Sequence, residues 1–215
     1  MKSPPAPSAW TLSHIKVKMD ITNLSREEQW EYYKNQISKV KFETKNQLFT
    51  KKSELFFKEL DDQFSERYII QKLQVVNNIE IHSGTLGTLS FVTELLNNES
   101  LIENIPQLIP FQEKYQFTKD IYGISSLYNF VGNITSLLSF GGAYKQGSKL
   151  KPLELIQSVD DFIVEFLPNG YRNYDYYFIT ESWNGWFSKV AWDYTFLIVN
   201  RNRPEVNLIL ITDSD

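Results

Sequence analysis

The chain has 215 residues, 42% of them hydrophobic and 22% charged, a globular composition long enough to bury roughly 70% of the surface that its unfolded form exposes. Its net charge of −4, with both signs spread along the chain and no long basic block, disfavours nucleic-acid binding, and the mild acidity suits a basic partner. The absence of cysteine removes disulfides, thiolate nucleophiles, iron–sulfur clusters and cysteine-ligated zinc together, and it is compatible with the cytosol.

The amino terminus holds one lysine and then Pro4, Pro5 and Pro7, without the apolar run of a secretory signal. No segment approaches the ~20 apolar residues of a membrane helix, so a cytoplasmic protein is expected. Met19 begins a second plausible start, directly before the first helix signal. Residues 1–22 are therefore expected to be a disordered leader, and 23–215 a single domain.

Ser25-Arg26-Glu27-Glu28 has the form of a capping box, and Trp30, Tyr33, Ile37 and Val40 follow at helical spacing, which predicts a helix from Ser25 to the mid-forties. Ser53-Glu54 opens a second, with Leu55, Phe56, Leu60 and Phe64 on one face. Between Arg67 and Ile81 the β-branched and aromatic residues flank Asn77-Asn78 and suggest a hairpin, with a helix continuing to Val76 as the alternative. After Ser83-Gly84 and Gly87, Thr88–Leu96 suits a helix, whereas Pro106 and Pro110 make 101–111 irregular. Residues 121–140 carry apolar residues at threes and fours and read as a buried helix, although 133–140 also suits a strand. A glycine-rich connection, 141–148, precedes Pro152, which starts a helix running to Leu167 and stopped by Pro168-Asn169-Gly170.

Three strands close the chain, at about 174–181, 192–200 and 206–212. The last two carry the near-continuous apolar runs of central strands, and the polar turn 200–205 between them favours antiparallel pairing. The expected fold is α+β, with helices in the first three quarters packed on a mainly antiparallel sheet.

The search for chemistry is largely negative. Gly142 and Gly147 stand at phosphate-loop spacing, but Ser148-Lys149 inverts the Lys-Ser order that places lysine on the phosphates and the hydroxyl on magnesium. Only His14 and His82 supply imidazole, which is too few for a histidine-rich metal site, and no serine elbow is present. Glu43-Thr44-Lys45 is similar to the tail of a nuclease carboxylate–lysine motif but falls in a helical pattern where that motif needs a strand. Glu181, Asp193 and Asp213 fall at strand ends, where antiparallel neighbours can bring acids within ~5–10 Å and so form a cation site. No catalytic residue, metal ligand or cofactor is assigned.

The loop 182–189 differs in kind. Asn184-Gly185 favours a tight turn, with Trp183 and Trp186 flanking the apex and Phe187 beside them. These rings either cap the core or, beside Tyr171, Tyr174 and Tyr176, form an aromatic patch of the kind found in binding hot spots. The runs 178–186, 190–195 and 212–215 resemble the carboxy-terminal part of small bacterial α+β proteins, some of which are similar to immunity proteins, the intracellular antidotes of contact-delivered toxins. That resemblance implies an inhibitor that acts by occlusion and needs no chemistry of its own. The expected partner is another protein, met through Trp183, Asn184, Trp186, Glu181 and Asp193, with Tyr174 and Tyr176 as neighbours. The alternatives are a metal-dependent hydrolase built on Glu181, Asp193 and Asp213, and a small-molecule module with an apolar pocket under 121–140.

Overall fold

Ser25 starts helix α1 (Arg26–Ser38) with a reciprocal box, its hydroxyl accepting from the Glu28 amide at 3.2 Å while the Glu28 carboxylate accepts from the Ser25 amide at 2.8 Å. The computed structural model describes residues 23–77, 79, 81, 86–110, 112–117, 122–124, 126–143, 145–168 and 173–213. The leader, His14, His82, Ser83-Gly84, Asn169-Gly170 and Tyr171 lie outside the described residues.

The first helix is shorter than its periodicity predicts. Asn98 donates to the carbonyls of Ile37 and Val40, at 2.8 and 3.1 Å, and Asn77 bridges the Lys39 carbonyl and the Lys41 amide. These two distant amides occupy the carbonyls that another helical turn would need, and the chain leaves as strand β1 (Phe42–Lys45). Glu43-Thr44-Lys45 is thus on a strand, correcting the helical assignment.

A short 3-10 turn, Lys51–Ser53, leads into α2 (Glu54–Phe64). The expected hairpin at 67–81 is instead one strand, β2 (Tyr68–Val75), whose neighbours are β1 and the final strand, β6 (Glu205–Ile211). Helices α3 (Thr88–Leu96) and α4 (Glu99–Glu103) follow, the latter placing one helical turn at the start of the stretch expected to be irregular. Residues 121–140 divide into a short strand, β3 (Tyr122–Ile124), and α5 (Leu127–Phe140), capped by the Ser126 hydroxyl. Helix α6 (Pro152–Phe166) and strands β4 (Tyr174–Ile179) and β5 (Tyr194–Asn200) complete the set.

The strands form a six-stranded antiparallel sheet in the order β1-β2-β6-β5-β4-β3. Helices cover both faces. Leu197, Val199, Val206, Leu208 and Leu210 meet residues of α1, α3 and α4, while Phe196, Ile198, Ile209 and Ile211 meet α2, α5 and α6. Double coverage is why the two central strands read as near-continuous apolar runs, a pattern more usual in parallel sheets. On the second face Phe56 stacks on Phe162 at 3.9 Å between centroids, joining α2 to α6. No helix of the described residues is long and apolar enough to cross a membrane.

The three glycines of the 141–148 connection, Gly141, Gly142 and Gly147, serve close packing. Gly147 has φ +75°, and a Cβ there would collide with the Ser139 carbonyl; at Gly142 it would meet the Asp213 carboxylate.

Candidate functional site

The aromatic loop faces inward. Trp183 is 1% exposed and its indole N–H donates to Thr195 Oγ1 at 2.8 Å, Phe187 is equally buried, and Trp186 is half-buried against the same core. Tyr174 and Tyr176 are buried on the opposite face of the sheet, so they do not join the tryptophans in one patch. The exposure that an aromatic contact surface requires is absent at Trp183, Asn184, Tyr174 and Tyr176.

The carboxylates are engaged separately. Asp193, fully buried, accepts from the hydroxyls of Ser182 and Thr212 and from the Val190 amide, which closes the loop onto the end of β6. Asp213 accepts from the Ala143 amide. Glu181 turns the other way and accepts from the Tyr115 hydroxyl at 2.9 Å, which together with burial raises the Tyr115 pKa to about 12. Among the described residues no group of three or more His, Asp or Glu is arranged to hold a metal ion, so the cation site that the strand ends could allow for Glu181, Asp193 and Asp213 is not formed.

Two of these residues position something else. Asn184 Oδ1 accepts from the Ile109 amide at 3.0 Å and its Nδ2 donates to the Ile109 carbonyl at 2.9 Å, which is the bonding a neighbouring strand would offer. Six residues on, Asn97 repeats the device, accepting from the Tyr115 amide at 2.7 Å and donating to the Tyr115 carbonyl at 2.8 Å, while Glu181 holds the same residue's hydroxyl. The described residues of 109–115, which are 109, 110 and 112–115, are therefore a strap pinned at both ends by buried amides. The sequence motif Asn184-Gly185 is an anchor for this strap rather than an exposed apex.

The strap forms one wall of a cavity of about 400 Å³, whose other walls are the end of α3 and the outer side of α4. Among the described residues four glutamates line it, Glu94, Glu99, Glu103 and Glu113, against a single lysine, Lys114, which pairs with Glu94 at 3.2 Å. Asn97 and Asn98 line it with their amides engaged by backbone groups, so the cavity's remaining polar groups are the four carboxylates, Lys114, Gln112 and Ser38. Concavity strengthens the field of these charges, because low-dielectric walls focus it on whatever enters.

None of the four glutamates belongs to a motif, and they come from three segments between residues 94 and 113. The nearest sequence signal is Glu94 and Asn97-Asn98-Glu99, where two amides and two acids gather at a helix junction. The small-molecule reading placed an apolar pocket under 121–140; this cavity is of mixed lining, with Ile102 and Pro110 beside the glutamates, and lies elsewhere. Comparison of the chain with protein-family models, with curated proteins and with solved structures finds no match to any of them.

Proposed function

We propose that the protein is an intracellular protein-binding inhibitor, of the immunity type, that docks a basic protein and receives one of its lysine or arginine side chains in the glutamate-lined cavity. The observation that carries this reading is the cavity's charge, four carboxylates against one lysine on a strap held rigid at both ends. A preformed concave acidic site favours a cationic group over a neutral one, and rigidity lowers the ordering cost of binding. Ile109, half exposed beside Pro110, supplies apolar contact near the rim. The separate engagement of Glu181, Asp193 and Asp213 favours this reading over the hydrolase.

The test is affinity capture from lysate of the source organism with wild type and with Glu99→Lys/Glu103→Lys, both residues being exposed and neither anchoring the strap. A stoichiometric basic partner is expected, held at low salt, weakened as the screening length falls below about 8 Å, and bound about tenfold or more weakly by the variant. Equal capture by both proteins, or no partner at all, overturns the proposal.

A further inference from the structure

On the sheet face that meets α2, α5 and α6, one end is polar where the rest is apolar. The register sets Lys45, Lys72 and Asn207 in one row, while Glu205, two residues from Asn207, and the paired Asn200 and Tyr174 lie on the same face beyond it. All but Lys45 are at most 5% exposed. Asn200 Oδ1 accepts from the amides of Asn202 and Arg203 at 2.9 and 3.0 Å, which identifies its Nδ2 as a donor, and that donor is buried without a partner. Asn207, opposite Lys72, donates to Glu205 at 3.3 Å and leaves a buried acceptor unpartnered. Such atoms are rare in a folded interior, and neither asparagine borders the cavity at the lysine end of this face.

At the lysine end of this row is a cavity of about 140 Å³ bordered by Lys45, Gln47, Lys72 and Phe166. It opens where β1 leaves β2, because pairing stops at Lys45↔Lys72. The Lys72 ammonium has three donors and spends one on the Phe166 carbonyl, at 2.8 Å. The neighbouring carboxylate, Glu205, is shared with Lys45 at 3.6 Å and with Asn207. Two cations thus face one carboxylate, and even about half a negative charge from the end of α6 leaves the balance positive. We propose that this cavity binds a small oxyanion, a carboxylate or phosphate group, on the Lys72 ammonium with Lys45 at its mouth. The volume is below the roughly 300–1,000 Å³ of whole-ligand pockets, so it takes a head group and leaves any remainder outside. Burial holds the Lys72 pKa below its ordinary value, and an anion in the cavity would raise it again.

The test is NMR titration of the full-length chain with sodium phosphate and, separately, sodium acetate at constant ionic strength, following the amides of Asn46, Gln47, Ile70, Gln71 and Lys72. A saturable shift confined to these amides is expected with at least one anion, and the responding anion assigns the head group. Lys72→Met is expected to weaken binding about tenfold or more, and Lys45→Gln about threefold. Absence of a saturable shift with either anion, or a shift that survives Lys72→Met unchanged, overturns the proposal. Should Lys72→Met not fold, Lys45→Gln decides it, and unchanged affinity there is the overturning result.

Discussion

Trp183 illustrates how an aromatic residue in a turn can belong to the core. Its ring packs edge-on to Phe187 at 6.0 Å and its N–H reaches Thr195, so replacement by alanine removes both packing and a satisfied polar group. Trp183→Ala is expected to cost about 3–5 kcal/mol of stability, measurable as a fall in the urea midpoint. A loss below ~1 kcal/mol would mean that the loop is not integral to the fold. Tyr115 makes a second prediction at this scale. Its hydroxyl keeps its proton to about pH 12 in the folded chain against an ordinary 10.0. Between those values the native state binds more protons than the unfolded state, so this residue's contribution to stability falls as pH rises through that window. Tyr115→Phe should flatten the alkaline loss of stability between pH 10 and 12, followed by thermal melts; an unchanged slope would discount the Glu181 contact.

Among the elements, the strap 109–115 matters most for the proposed function, because it carries Glu113 and Lys114 and closes the cavity. It is held by side-chain amides that imitate a strand edge, an arrangement that needs both the oxygen and the nitrogen of asparagine. Asn184→Asp keeps the shape and loses the donor to the Ile109 carbonyl. This change is expected to lower stability by about 1–3 kcal/mol and to speed hydrogen exchange at the Ile109 amide more than at Tyr115, whose anchor is Asn97. Equal acceleration at both amides would show that the strap moves as one piece. Partner affinity should fall as well, through loss of preorganisation, although neither Asn184 nor Ile109 borders the cavity.

Taken whole, the molecule stacks helices on both faces of an antiparallel sheet. The acidic cavity lies on the layer of α1, α3 and α4; the Lys72 row lies beneath the other layer, under α6. Because the sheet stands between the two, they are expected to titrate independently. Glu99→Lys/Glu103→Lys should leave anion binding at Lys72 within about twofold of wild type, checked by the same NMR titration. A larger change would indicate coupling through the sheet.

Local chemistry determined much of the secondary structure. The Ser25 box, the amphipathic 54–64 stripe, Pro152 at a helix start and the two doubly apolar strands at the end act over a few residues, and each is found where its pattern predicts. Tertiary structure decided what depends on distant partners. Asn98 and Asn77 end α1 from 36 to 61 residues away in the chain, and β2 pairs with β1 and β6 rather than with its own continuation. The same holds for the candidate sites. Asn184-Gly185 was legible as a turn, but its partner at Ile109 was not, and that partner converts an expected contact surface into an anchor. Four glutamates gather in one cavity, and Lys45, Lys72 and Asn207 share one row, only because the sheet and the strap bring separate segments together. Periodicity and capping are near-neighbour effects, whereas burial and the pairing of amides and charges are properties of the assembled chain.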